Sequence, residues 1–228
     1  MALFAIADTH LSFGVDKPME IFPGWQDFEK RLENNWRRLV EADDTVVIAG
    51  DISWGMTLEE ALPDFAFLDS LPGRKILLKG NHDYWWNSKS KMDVFFEDKG
   101  FKSLHILHNN AYVADSIAIC GTRGWSPDNE NPQDQKILLR EANRLKMSIE
   151  AARAYKAKPV AFLHYPPVFA GQECRAIREV LEEEGIERCY FGHLHAQAFK
   201  GFAAFESGGV KYDLISADYL EFCPKHIA

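Results

Sequence analysis

The sequence predicts an α/β fold in one domain, on three observations. Six short apolar runs of strand length alternate with longer stretches of helical period. Length and composition fit a globular protein, and nothing along the chain marks a boundary. At 228 residues, with 46% hydrophobic and 26% charged side chains, the chain is long enough to bury one substantial core, and its composition is not that of a disordered or fibrous protein. No internal repeat, low-complexity tract or Pro/Ser-rich linker interrupts it, so residues 1–228 are read as a single domain.

The strand-like runs are 3–7, 45–49, 75–79, 116–120, 159–163 and 189–191. Between them, residues 25–42, 58–71, 87–99, 132–156 and 174–184 carry apolar side chains at helical spacing with charges on the remaining face. The longest of these, 132–156, is expected to lie across the surface. Beyond residue 198 the pattern changes to short alternating stretches at 199–205, 210–216 and 219–222. Ser207-Gly208-Gly209 and Ala217-Asp218 separate them, which predicts antiparallel hairpins. Residues 123–135, rich in Gly, Pro, Asn and Asp, form the longest predicted loop.

A net charge of −8 argues against electrostatic capture of a nucleic-acid backbone, which needs Lys and Arg clustered on one face. The stretch from Met1 to Asp8 lacks the basic start and long apolar core of a signal peptide, and no run approaches a membrane span. A cytoplasmic protein with no membrane partner is expected. Cys120, Cys174, Cys189 and Cys223 are widely spaced with no CxxC pair, so they read as reduced thiols rather than a zinc site.

Five of the strand-like runs end directly in side chains of metal-ligand type. These ends are Asp8-Thr9-His10, Gly50-Asp51, Gly80-Asn81-His82-Asp83, His164 and Gly192-His193-Leu194-His195. In α/β sheets ligands gather outside the carboxyl ends of the strands, so the five are expected at one edge. The glycines before Asp51, Asn81 and His193 let the backbone turn sharply and approach an ion closely. Carboxylate, imidazole and amide oxygen together suit divalent ions of intermediate hardness, namely Mn, Fe or Zn.

In this order the blocks DxH, GD, GNHD, H and GHxH resemble those of the calcineurin-like metallophosphoesterases of bacterial type, and they cover most of the chain, from Asp8 to His195. The resemblance implies a binuclear metal-dependent phosphohydrolase, a phosphatase or phosphodiesterase of small phosphoesters. It also implies the fold, two mixed β-sheets packed as a sandwich and flanked by α-helices in four layers. Two divalent metal ions are implied, one on Asp8, His10 and His195, the other on Asn81, His164 and His193, with Asp51 bridging. Two carboxylates against two such ions leave the site at about +2, which draws phosphate to an acidic protein. In two-metal chemistry the ions lie ~3.5–4 Å apart and a bridging hydroxide attacks phosphorus in line. His82 is then free to act as general acid toward the leaving oxygen. Asp83 either orients the His82 ring or caps the helix that follows, and the two roles are compatible.

Outside the blocks, Arg123, in Gly121-Thr122-Arg123-Gly124-Trp125, reads either as a phosphate holder or as a surface charge. Trp125, like Trp85, Trp86 and Phe169, either lines a substrate pocket or packs. A lone Asp or His is ordinarily a satisfied core residue or a cap, and seven in motif order are not. His105, His108 and His226 have no motif context and are assigned to surface or loop, and Glu182-Glu183-Glu184 reads as a solvated helix end.

Other function classes compete. A metal-binding scaffold of the same fold without catalysis is expected to lose ligands or His82, and all are present. A metallo-β-lactamase-like hydrolase needs an HxHxDH block, which is absent. Protein Ser/Thr phosphatases carry Arg shortly after the GD block and read GNHE, whereas Ile52-Ser53-Trp54 follows Asp51 here and the third block ends in Asp83. No inserted domain offers a cap, so an open site is expected.

Overall fold

Strands that are apolar on every residue need cover on both faces. The computed structural model of the chain, which describes residues 1–125 and 132–228, provides it in four layers: helices, sheet, sheet, helices. The first half runs β1 (Leu3–Ile6), α1 (Phe28–Leu39), β2 (Thr45–Ala49), α2 (Leu62–Ser70), β3 (Arg74–Leu78), α3 (Lys89–Lys99) and β4 (Leu104–Ile106). There follow β5 (Tyr112–Ala114), β6 (Ile117–Thr122), α4 (Pro132–Arg153), β7 (Lys158–Leu163), β8 (Val168–Phe169), β9 (Gln172–Glu173), α5 (Arg175–Glu183), β10 (Arg188–Phe191), β11 (Phe205–Ser207), β12 (Val210–Leu214) and β13 (Lys225–His226).

One sheet has the order β13-β1-β2-β3-β4, parallel except for β13. The other has the order β11-β12-β10-β7-β6-β5, parallel in its four central strands and antiparallel at both edges. Both are mixed, as expected, and β8 with β9 forms a separate ribbon. Alternation along each strand assigns the faces. Phe4, Ile6, Val46 and Ile48 pack with Phe28, Leu32 and Trp36 of α1 and Phe65 of α2. Their neighbours Leu3, Ala5, Val47 and Ala49 meet Ile117, Ile119, Val160 and Phe162 of the second sheet. That sheet's outer face, including Cys120, Ala161 and Phe191, packs with Leu145 and Ile149 of α4 and Ile177 and Leu181 of α5. Cover on both faces is why these strands read as unbroken apolar runs.

Local chemistry sets the helix limits. The buried Phe28, Leu32 and Trp36 of α1 recur every four residues, and the Trp36 indole N–H donates to the Pro72 carbonyl at 2.9 Å. At the start of α3 the Ser88 hydroxyl accepts from Lys91 N–H, and Gly100, at φ +77°, closes the other end. The cap of that helix is therefore Ser88, not Asp83. All four cysteines are free thiols. Among the described residues no helix is long and apolar enough to cross a membrane.

The tail departs from expectation. A hairpin does join β11 to β12 through Gly208-Gly209, but of 199–205 only Phe205 enters a strand, and 196–199 form a 3-10 turn. Residues 219–222 are a turn, with Glu221 and Phe222 at positive φ. Phe222 is apolar because its ring fills the space beside Trp25 and Phe28, 4.9 and 5.7 Å between centroids. His226 is exposed at the surface, on the edge strand β13, and His108 is in a loop, as expected, whereas His105 is half-buried on β4. Of the predicted 123–135 loop, 126–131 lie outside the described residues and 132–135 belong to α4 rather than to a loop.

Candidate active site

The carboxyl ends of β1, β2, β3, β7 and β10 meet where the two sheets pinch together. Ala7 N–H donates to Ile215 C=O at 2.7 Å and Ala217 N–H to Ala7 C=O at 2.8 Å, tying the end of β1 to the segment after β12. Asp8 N–H donates to Gly50 C=O at 2.8 Å and His10 N–H to Asp51 C=O at 3.0 Å. At this closeness side chains are excluded. A Cβ on Gly80 would sit 2.1 Å from the Asp51 amide nitrogen, and one on Gly192 would sit 2.5 Å from Ala7 Cβ. The glycines of the motifs thus permit strand ends to approach one another. Asp8, His10, Asp51 and His193 hold φ of 59°, 45°, 50° and 71°, a left-handed conformation that clusters at functional sites.

Two groups of side chains result. The ligand atoms of Asp8, His10 and His195 lie within 4.8 Å of one another, and so do those of Asp51, His164 and His193. Asn81 joins the second group, its Oδ1 2.7 Å from His164 Nε2. Asp51 stands between the groups, with Oδ2 3.8 Å from His10 Nε2 and 3.5 Å from His164 Nε2. All seven residues expected as ligands are brought together.

The donor set fits cations. Nε2 of His10 and Nε2 of His195 face each other at 3.4 Å, and Asp8 Oδ1 is buried without a hydrogen-bond partner. Burial lowers His10 and His164 to about 3, so both are neutral rings with a lone pair to offer. His164 Nδ1 faces the Ala49 carbonyl at 3.2 Å, which turns its Nε2 lone pair toward Asn81 Oδ1. A lone pair meeting a carbonyl oxygen is a pairing that a shared cation reconciles. Burial, then the charges of Asp83 and Asp8, raise Asp51 to about 9, so its carboxylate is costly unless cations neutralise it. Burial also works against a charged His195, but Asp218 and Asp8 outweigh it and raise that ring to about 10.

Two carboxylates outside the ligand set hold it in place. Asp83 is fully buried and accepts from Gly80 N–H at 2.7 Å and Asp51 N–H at 2.9 Å on one oxygen. Its other oxygen accepts from Ile52 N–H at 2.8 Å, Ser53 N–H at 3.3 Å and the Trp85 indole at 3.1 Å. This corrects the expectation that Asp83 orients His82, whose Nδ1 is buried with no hydrogen-bond partner. Asp218, missed in the sequence, lies 3.0 Å from His195 Nδ1 and accepts from Ala196 N–H at 3.2 Å. It directs the His195 Nε2 inward. A weaker signal for it existed, since Asp218 follows the alternating, strand-like stretch 210–216 as the other candidate ligands follow their apolar runs.

His82 lies beside the cluster, its ring 4.6 Å from Trp54 and 5.9 Å from His10. Burial, then the nearby Lys17 charge, lower its pKa. A cavity of about 250 Å3 opens here, lined by His82, Asp51, His10, His193 and His195 together with Trp25 and Trp54. Neither tryptophan belongs to a motif, and both were missed.

Arg123 and Trp125 do not line this cavity. Arg123 lines a separate one of about 370 Å3, with its guanidinium 4.7 Å from the Trp125 ring and Nη2 3.9 Å from Glu141 Oε1. Its carbonyl accepts from His164 N–H at 3.2 Å and Tyr165 N–H at 2.9 Å, so its main chain supports the His164 loop. Trp85 is core, edge-on to Phe65 at 4.8 Å. Trp86 and Phe169 pack against the two cores, and Trp86 and His108 line the larger cavity.

A cluster of Asp, Asn and His at the strand ends of a two-sheet α/β sandwich is a candidate divalent-metal centre. The chain belongs to the calcineurin-like phosphoesterase family, whose profile matches residues 1–197. The gene 66 protein of Mycobacterium phage L5 is 39% identical over 80 residues, which cover 34% of this chain and 37% of that protein. The match thus spans little more than a third of that relative. Among solved structures, a protein of unknown function from Aquifex aeolicus aligns at TM-score 0.54 and 17% identity, covering 99% of this chain and 95% of that one. The phosphopantetheinyl hydrolase PptH of Mycobacterium tuberculosis aligns at TM-score 0.53 and 12% identity over the same shares. At these identities the likeness is one of fold.

Proposed function

We propose that the chain is a binuclear phosphohydrolase of small phosphoesters. The observation that carries this reading is the position of Asp51 Oδ2, within 4 Å of an imidazole nitrogen of each ligand group. Asp8, His10 and His195 would hold one divalent ion and Asn81, His164 and His193 the other, with Asp51 available to both. Mn, Fe and Zn all suit these donors. When bound, such ions polarise the phosphoryl oxygens and make water acidic enough to attack at neutral pH. The protein supplies the rest. Asp218 and the Ala49 carbonyl fix the rings of His195 and His164, and Asp83 fixes the loops that carry Asp51 and Asn81. His82 donates its proton to the leaving oxygen as the bond from that oxygen to phosphorus breaks and the one from water forms. The water's proton leaves to solvent, and His82 is recharged from solvent.

The test is hydrolysis of nitrophenyl phosphate and bis-nitrophenyl phosphate by chelator-stripped protein, before and after Mn addition, with His82→Ala alongside. The expected result is metal-restored turnover that falls by about 10²- to 10⁴-fold in the variant, with one ester preferred. Stoichiometric metal uptake with no turnover of either ester would leave a metal-binding scaffold as the reading.

A further inference from the structure

We infer that the cavity beside His82 receives the leaving group, and that this leaving group is apolar. The inference rests on the reading above and names the substrate class it leaves open. A general acid must touch the oxygen it protonates, so the carbon attached to that oxygen lies on the His82 side of the ligand cluster. That side is the cavity of about 250 Å3, whose wall away from the ligands is Met19, Phe22, Pro23, Trp25 and Trp54. None of these carries a hydroxyl, an amide or a charge on its side chain.

The wall is fixed before any ligand arrives. Trp25 and Met19 are buried, and Trp25 is held edge-on to Phe28 and Phe222 at 5.2 and 4.9 Å. Trp54 lies stacked with His10 at 4.9 Å, and its indole N–H donates to Met19 Sδ at 3.2 Å, so its one polar atom is occupied. Against Met19, Phe22, Pro23 and Trp54 a hydroxylated leaving group would give up hydrogen bonds to water with none in return, whereas a hydrocarbon would gain by burial. The apolar lining continues outward to Phe22, which is 48% exposed. A small leaving group such as methanol would leave this lining uncovered.

The test compares esters that differ in the apolar area of the leaving group; hexanol and methanol are matched in acidity, and glycerol is the more acidic alcohol of its pair, so intrinsic reactivity there opposes the expected order. Hexyl phosphate is set against methyl phosphate, propyl phosphate against glycerol 3-phosphate, and naphthyl phosphate against phenyl phosphate, with Mn-loaded protein. At about fourfold per buried methylene, kcat/KM for the hexyl ester is expected to exceed that for the methyl ester at least about 10-fold. Propyl is expected to exceed glycerol likewise. The first and third pairs separate alkyl from planar aromatic groups. Phe22→Ala, at a half-exposed position that does not threaten folding, is expected to cut the hexyl-to-methyl ratio severalfold. A second readout needs no turnover: naphthol should quench the tryptophan fluorescence of the metal-free protein saturably, and more weakly in Phe22→Ala. Equal kcat/KM within all three pairs and no saturable quenching overturn the inference while leaving hydrolysis standing. Saturable quenching with no ester turned over overturns the hydrolytic reading instead and keeps the apolar ligand class.

Discussion

Asp83→Asn separates a carboxylate that holds the ligand loops from one that tunes His82. Asparagine keeps the shape and loses one acceptor. If its NH2 replaces the oxygen facing Gly80 and Asp51, the amide hydrogens of those residues, now bonded at 2.7 and 2.9 Å, meet another donor. If the amide turns over, Ile52 N–H, Ser53 N–H and the Trp85 indole are the ones left facing a donor. Either way at least two buried donors go unpaired at about 1–3 kcal/mol each, and the bonds that survive lose the strength that a charged acceptor gives. A loss of roughly 3 kcal/mol or more follows, which at an m-value of about 2 kcal/mol per molar urea lowers the unfolding midpoint by roughly 1.5 M. Because Asp51 and Asn81 ride on these loops, Mn affinity should fall as well. Urea unfolding followed by circular dichroism, with calorimetric Mn titration, measures both. An unchanged midpoint and affinity together with a shifted pH–rate profile would refute this and restore the ring-orienting role.

Asp218→Asn should weaken Mn or Zn binding about 10- to 100-fold by calorimetry, since His195 loses the carboxylate that directs its ring; unchanged affinity would remove Asp218 from the site. Gly192→Ala puts a methyl group 2.5 Å from both Ala7 Cβ and Asp8 Oδ2. It should cost about 1–3 kcal/mol, or roughly 2–12 °C in Tm, and no change in thermal unfolding would contradict the packing described. Lys75 is buried, its ammonium donating to the Leu71 carbonyl and to Ser103 Oγ, and burial lowers it from 10.5 to about 8. Between those values the unfolded chain binds more protons than the folded one, so stability should rise with pH over that window, by up to about 3 kcal/mol. Lys75→Met, compared by urea unfolding from pH 7.5 to 10.5, should lack that rise, and equal slopes would sink the assignment.

Some of the architecture was legible because burial on two faces leaves a mark on single strands. β1, β2, β3, β6, β7 and β10 show as apolar runs within a residue or two of their true ends. β4, β5, β8, β9 and β13, of two or three residues each, are too short to carry a period, and they are edge or second-rank strands placed by pairing with neighbours. In the tail, Phe202 and Phe222 look like strand residues because their rings pack against aromatic neighbours, but neither lies in a strand.

By itself the sequence determined the alternation of strands and helices, the family, and the seven candidate ligands, because each of these follows its strand within one to four residues and needs no distant partner to be recognised. Only the tertiary structure decided what each polar residue beside them does. Asp83 serves backbone amides spread from Gly80 to Ser53, Asp218 reaches His195 across 23 residues, and Arg123 turns away to Glu141. The aromatic wall joins Trp25 to Trp54 and to a phenylalanine near the carboxyl end, Phe222. Such roles depend on which atoms folding brings within hydrogen-bond or van der Waals reach, and residues far apart along the chain carry no local trace of one another until the sheets close.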